Sequence, residues 1–124
     1  MEQLKVLLVD DEEEFVIALA ERLQMRGLDT KVAYNGEQAL YTTQDFMPEA
    51  ILLDLKMPGM DGLEVLRRIK KTHPHIQVVI LTGHGSPRDA EVAGRLGAFG
   101  YLQKPADIGE IVETLRRACS GSQD

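Results

Sequence analysis

Three aspartates, a threonine and a lysine in this 124-residue chain could together carry out phosphate chemistry. Each lies at or just past the end of a short apolar run, and they are Asp10, Asp11, Asp54, Thr82 and Lys104. Three carboxylates that are brought together repel one another, so either one takes up a proton or a cation sits among them. Ligands that are all oxygen favour a hard ion, and Mg²⁺ typically uses one or two carboxylates with waters and phosphate oxygens.

The lysine and the threonine would turn such a cation site into a site for phosphoryl transfer. A carboxylate such as Asp54 can attack phosphorus while the Lys104 ammonium balances charge and the Thr82 hydroxyl donates a hydrogen bond. Taken singly, each residue also has an ordinary structural explanation. Asp10 and Asp11 could cap a helix, and Asp54 could begin a turn. The chemical hypothesis therefore depends on the joint placement of the five residues.

Five strand-like runs alternate with helical patterns and predict that placement. The runs cover residues 4–9, 29–33, 50–53, 77–81 and 99–102. Three of them are almost continuously apolar, which is typical of strands covered on both faces in a parallel sheet. Five βα units with short loops predict an α/β fold with helices on both faces of the sheet. Ligands of such sheets bind beyond the carboxyl ends of the strands, where all five polar residues are expected.

The helical patterns give more detailed expectations. Phe15, Ala18, Leu19 and Leu23 follow helical spacing, with Arg22 as a polar interruption, and predict the buried stripe of the first helix. Asp61 and Asp107 each precede a glutamate by three residues, so we expect a capping box at the start of the third and fifth helices.

The composition excludes several classes of protein. Lys and Arg total 14 and Asp and Glu total 20, so the formal charge of −6 argues against direct nucleic-acid binding by this domain. A disulfide framework cannot form from one cysteine, and we expect Cys119 to be packed or half-buried. No apolar run approaches a membrane span and no signal-peptide pattern follows Met1, so we expect a cytoplasmic protein without a membrane partner. We expect one domain over residues 1–119, and a short tail or the start of a linker over residues 120–124.

Four ordered motifs resemble those of the receiver domains of two-component response regulators. They are Val9-Asp10-Asp11-Glu12, residues 54–62, Leu81-Thr82-Gly83-His84-Gly85 and Tyr101-Leu102-Gln103-Lys104-Pro105. The similarity extends over nearly the whole chain, from about residue 5 to residue 118. It implies a flavodoxin-like, doubly wound parallel sheet of five strands in the order 2-1-3-4-5, with five helices.

The resemblance also implies which residues bind the ion and the phosphoryl group. Asp54 would accept a phosphoryl group from a histidine kinase or a histidine phosphotransfer protein. Mg²⁺, or Mn²⁺ in its place, would be bound directly by Asp11 and Asp54. Asp10 would assist through water, and the backbone carbonyl of Lys56 would be a further ligand.

Three further residues would complete the reaction and the response in this family. Lys104 would contact the phosphoryl group, with a cis peptide bond before Pro105 directing it into the site. Thr82 would move toward the phosphoryl group, and Tyr101 would turn inward to fill the space that Thr82 leaves. The surface of helix 4, strand 5 and helix 5 would thereby switch and control an output domain or a target protein. A phosphorylation-dependent dimer is a further expectation.

Two other functions stay open from the residues alone. A haloacid-dehalogenase-like phosphatase also forms an aspartyl phosphate, but it needs a second acid two residues after the nucleophile, where this chain has Lys56. A pseudo-receiver would serve only as a binding module, although the complete set of five polar residues argues against it. We therefore expect a signalling protein that catalyses only its own phosphorylation and dephosphorylation.

Overall fold

The computed structural model describes residues 3–120 of the chain. Its centre is a sheet of five parallel strands, namely β1 (Lys5–Val9), β2 (Asp29–Ala33), β3 (Ala50–Leu53), β4 (Gln77–Thr82) and β5 (Gly100–Gln103). The strand order is β2-β1-β3-β4-β5, as the resemblance implies. The helices that alternate with the strands are α1 (Glu13–Met25), α2 (Gly36–Phe46), α3 (Gly62–Thr72), α4 (Pro87–Arg95) and α5 (Ile108–Ser120). None of these helices is both long and apolar enough to cross a membrane.

The core lies in two layers, one on each face of the sheet. Alternate residues of a strand point to opposite faces, so β1 contributes to both layers. Leu7 and Val9 pack in the layer that α2, α3 and α4 cover. Val6 and Leu8 pack in the layer that α1 and α5 cover. The predicted doubly wound α/β architecture is therefore confirmed.

The predicted boundaries are close to the observed ones. β2 and β3 have the predicted bounds, β1 begins one residue later, β4 ends one residue later, and β5 both begins and ends one residue later. α5 includes Ser120, one residue into the predicted tail, because the helix continues past the last apolar position of its stripe. Residues 121–124 of that tail lie outside the described residues.

The predicted buried stripe of α1 is wrong for two residues. α1 buries Val16, Leu19, Ala20 and Leu23, which follow the i, i+3, i+4, i+7 pattern from Val16. Phe15 is 38% exposed. Ala18 is also exposed. Both side chains border the cleft between α1 and α5, because the face that meets the sheet is turned by one position.

Two helix starts differ in detail from the predicted capping boxes. Asp61 Oδ1 accepts a hydrogen bond from the Glu64 amide at 3.0 Å, as expected. The Glu64 carboxylate does not complete the box, because it accepts hydrogen bonds from two arginines of its own helix. Asp107 Oδ2 accepts from the Gly109 amide at 2.9 Å rather than from that of Glu110.

Candidate functional site

The carboxyl ends of β1 and β3 bring the three aspartates together. β1 and β3 are neighbours in the sheet, with Val9 opposite Leu53, so the residues that follow them lie side by side. One carboxylate oxygen each from Asp10, Asp11 and Asp54 lies within 4.8 Å of the others. Asp10 and Asp54 are only 4% and 2% exposed, whereas Asp11 is exposed to solvent. The acidic cluster is thus buried on one side and open on the other.

The closeness and burial of the carboxylates affect the pKa of Asp10 and the hydrogen bonding of Asp54. Burial raises the pKa of Asp10, and the charge of Asp54 adds to that rise, while hydrogen bonding from Lys104 opposes it. Oδ1 of Asp54 is buried and has no hydrogen-bond partner within residues 3–120. Leaving a buried acceptor unpaired costs about 1–3 kcal/mol. The unpaired oxygen and the all-oxygen donor set therefore fit a hard divalent cation such as Mg²⁺.

Lys104 lies beside this cluster and hydrogen-bonds two carboxylates of the loop after β1. Its Nζ donates hydrogen bonds to Asp10 Oδ2 at 2.8 Å and to Glu12 Oε1 at 2.7 Å. The same Nζ lies 4.3 Å from the centre of the Phe15 ring, within the range of a cation–π contact. Burial alone lowers the pKa of Lys104, but the hydrogen bonds to the two carboxylates outweigh it and hold the pKa above its usual range. The peptide bond between Lys104 and Pro105 is cis, as the resemblance implies.

Thr82, at the end of β4, and Tyr101, on β5, both lie close to Gly85. Thr82 is fully buried, and its Oγ1 accepts a 3.3 Å hydrogen bond from the amide of His84. The Tyr101 hydroxyl is buried and finds no partner in the described part of the chain. A side chain at Gly85 would overlap this hydroxyl, and its Cβ would lie 2.9 Å from Thr82 Cγ2. Tyr101 therefore occupies an inward position that depends on the glycine.

The loop after β3 connects the cluster to α4. Lys56 Nζ lies 3.6 Å from Asp89 Oδ2, and Asp89 forms a complete capping box with Ser86 at the start of α4. The hydrogen bond from the Ser86 amide lowers the pKa of Asp89, and the nearby charge of Lys56 contributes. The backbone carbonyl of Lys56 stays a predicted ligand. Gly62 lets α3 begin directly under this loop, because its Cβ would collide with the Asp54 carbonyl oxygen.

Three residues of the site were not expected from the sequence. Glu12 belongs to a run of five acids, residues 10–14, and the sequence does not indicate which of them reaches Lys104. Phe15 contacts Lys104 although it was expected in the core. Gly85 stands in a segment rich in small residues, which was the one available signal of close packing.

The geometry agrees with comparisons to known proteins. The chain matches the family model described as "Response regulator receiver domain" over residues 6–116. It is 40% identical to the putative response regulator NtrX-like of Rickettsia felis over 121 residues, which cover 96% of this chain and 26% of that protein. It is 39% identical to sporulation initiation phosphotransferase F of Bacillus subtilis over 113 residues, which cover 91% of each chain. The crystal structure of the receiver domain of NtrX from Brucella abortus aligns with a TM-score of 0.86 and 34% identity, covering 92% of this chain and 97% of that one.

This chain belongs to the family of response regulator receiver domains of two-component signalling systems. It spans about a quarter of the length of the NtrX-like relative and nine-tenths of the length of the sporulation phosphotransferase.

Proposed function

We propose that this receiver domain accepts a phosphoryl group on Asp54 in a reaction that depends on Mg²⁺ or Mn²⁺. The observation that carries the proposal is the buried, unpaired Oδ1 of Asp54 within 4.8 Å of two further carboxylates. The ligands would be Asp11, Asp54 and the backbone carbonyl of Lys56, with Asp10 acting through water. When bound, the ion supplies positive charge that offsets the carboxylates and the phosphate oxygens.

The side chains around Asp54 would divide the remaining work. An oxygen of Asp54 attacks phosphorus, and the bond from phosphorus to the histidine nitrogen of the donor breaks as the new bond forms. The Lys104 ammonium turns to an oxygen of the bound phosphoryl group, and the Thr82 hydroxyl donates a hydrogen bond to another. Burial of Asp54 keeps bulk water away from the reacting atoms.

The response would pass from Thr82 to the surface formed by α4, β5 and α5. Movement of Thr82 toward the phosphoryl group changes the space beside Tyr101, whose ring packs against the core layer of α3 and α4. α4 buries only Ala93 among its residues, so a small change in packing is enough to shift it. This surface would then bind an output domain, a target protein or a second copy of the chain.

The signalling context follows from the class. The phosphoryl donor would be a histidine kinase or a histidine phosphotransfer protein in the cytoplasm. The NtrX-like relative extends well beyond the region matched here, so we include an output domain in the same polypeptide among the proposed targets. The domain itself would act on no substrate other than its own aspartate.

The decisive experiment is intact-mass measurement after incubation with acetyl phosphate and Mg²⁺. We expect the mass of one phosphoryl group to be added to the wild type, and no addition with a chelator or in Asp54→Asn. The matched control is Asp45→Asn, which alters an exposed aspartate of α2 and should be phosphorylated normally. Unchanged phosphorylation of Asp54→Asn would contradict the proposal, and turnover of many phosphate esters per molecule would favour a phosphatase instead. If the wild type gains no mass, the remaining interpretation is a pseudo-receiver that serves only as a binding module.

The ion site has a separate test that needs no phosphorylation. Titration with Mn²⁺ should broaden the amide NMR signals of Asp11, Asp54 and Lys56 first, because a paramagnetic ion relaxes the nearest nuclei most strongly. Asp11→Asn should weaken this broadening, whereas Asp45→Asn should leave it unchanged. First broadening at another acidic group would show that the ion binds elsewhere.

A further inference from the structure

Lys104 is held by a carboxylate for which the phosphorylation chemistry has no use. Of its charged partners, Asp10 belongs to the acidic cluster, whereas Glu12 does not. The hydrogen bond to Glu12 is nevertheless as short as the one to Asp10, at 2.7 Å against 2.8 Å. Glu12 is the N-cap residue of α1, but its side chain makes no capping hydrogen bond. Its carboxylate is therefore directed to the lysine instead of the helix.

The backbone fixes this arrangement on both sides. Asp10 Oδ1 accepts a hydrogen bond from the Glu12 amide at 2.9 Å, so a tight turn presents both carboxylates to the same ammonium. On the other side, the Lys104 amide donates to the Thr82 carbonyl at 3.0 Å, which holds the start of the lysine side chain at the sheet edge. Lys104 Nζ consequently hydrogen-bonds carboxylates of the loop between β1 and α1, and Asp54 acts on it through its charge.

This arrangement sets up a competition. An ammonium group has three donors, and two of those of Lys104 already meet carboxylate oxygens. A phosphoryl group on Asp54 would attract the positive charge of Lys104. Glu12 already shares that charge. Asp10 cannot be substituted without changing the acidic cluster, whereas Glu12 can.

We propose that Glu12 is a positioning residue that competes with the phosphoryl group on Asp54 for Lys104. In the unphosphorylated protein it holds the lysine toward the β1–α1 loop, and it must release the lysine as Asp54 is phosphorylated. The inference rests on the proposed function, since it assigns Glu12 a part in the same reaction. Glu12 therefore opposes phosphorylation. Its removal accelerates phosphorylation of Asp54 and tightens the binding of beryllofluoride, an analogue of the phosphoryl group.

Three single substitutions separate contact from charge. Glu12→Gln removes the charge that faces Lys104, and Glu12→Asp keeps the charge but shortens the side chain by one methylene. Glu14→Gln is the matched control, since it removes one negative charge from the exposed first turn of α1, away from the hydrogen bonds of Lys104. An ion pair with one exposed partner is weak, so we expect Glu12→Gln to raise beryllofluoride affinity and the phosphorylation rate from acetyl phosphate about two- to fivefold. Glu12→Asp should show part of this gain, and Glu14→Gln almost none.

A double-mutant cycle with Lys104→Met identifies the mechanism. If Glu12 acts through Lys104, Glu12→Gln has no further effect in the Lys104→Met background. If Glu12 simply repels the anionic donor, the same gain persists in that background and the proposal is overturned. Circular dichroism of every variant shows whether it is folded, and Glu12→Asp provides the test should Lys104→Met not fold.

NMR of the Lys104 ammonium provides a readout that is independent of phosphorylation. In the wild type the hydrogen bonds to Asp10 and Glu12 slow the exchange of its protons with water, and Glu12→Gln should speed that exchange while Glu14→Gln should not. A wild type that neither gains a phosphoryl group nor binds beryllofluoride would refute the proposed function itself. A wild type that does both, with Glu12→Gln indistinguishable from Glu14→Gln, would refute only the role of Glu12.

Discussion

The two sides of the sheet's carboxyl edge differ in how firmly they are packed. On the β1–β3 side, β3 is buried over its whole length, and the acidic cluster follows directly from the two strands. On the α4–β5 side, no residue of β5 is fully buried and α4 buries only Ala93. The three aspartates proposed to bind the ion and accept the phosphoryl group therefore stand on the rigid side. The surface proposed for the response stands on the looser side, and Lys104, which directly follows β5, reaches the aspartates from there.

This difference has a physical reason. Phosphoryl transfer requires the carboxylates to be held in position, and the buried strands hold them because moving them would break close packing. A switching surface must have two arrangements of similar free energy, and an element with few buried contacts can move at low cost. Tyr101 stands at the boundary, since it lies on β5 but packs its ring into the core.

The largest expected effect comes from a matched pair of leucines, one on each side. Leu7→Ala should lower the free energy of unfolding by about 2–5 kcal/mol, because Leu7 is fully buried in β1 and its loss leaves a cavity. Leu96→Ala, at the partly exposed end of α4, should cost about 1 kcal/mol. Urea denaturation followed by circular dichroism measures both. Equal costs would show that the two sides are packed alike.

The boundary between the two sides is tested at Gly85. Gly85→Ala places a methyl group on the Tyr101 hydroxyl, so Tyr101 has to leave its inward position at a cost of about 1–3 kcal/mol. The control is Gly94→Ala, which meets no atom within 4 Å on α4 and should stabilise the helix by about 0.5–1 kcal/mol. Urea denaturation gives the stabilities, and NMR shifts in Gly85→Ala should be largest around Tyr101. If the shifts are confined to the loop, Tyr101 is not displaced.

The sequence predicts the strand ends much better than the loop and helix that follow β1. Asp10 and Asp54 could be placed together because each ends a continuous apolar run, and such runs specify buried parallel strands. The partner of Lys104 could not be predicted, because it depends on the path of the loop after β1 and on side-chain rotamers. The outward position of Phe15 was missed for a related reason. Phe15 and Val16 are adjacent apolar residues that could each begin a helical stripe, and the stripe that α1 buries begins at Val16.

A smaller effect is expected when the unpaired hydroxyl at the boundary is removed. Tyr101→Phe deletes a buried hydroxyl that has no partner among residues 3–120, so we expect unfolding to require about 1 kcal/mol more. The control is Tyr34→Phe, since Tyr34 is also partly buried but does not lie at the boundary. It should change stability less. The midpoint of urea unfolding reports both. A loss of stability in Tyr101→Phe would mean that the hydroxyl is hydrogen-bonded in solution, for example to water.

The smallest effect concerns α5, which belongs to the proposed response surface yet packs more firmly than α4. Burial raises the pKa of the Cys119 thiol to about 11, with the charge of Glu49 contributing. The raised pKa stabilises the folded state below pH 9.0, the usual thiol value, and this contribution is lost as the pH rises toward 11. Alkylation by iodoacetamide should therefore still accelerate above pH 9.0, whereas the urea-unfolded chain should level off near that value. If the folded chain also levels off there, the thiol is not buried in solution, and the looser side of the molecule includes the end of α5.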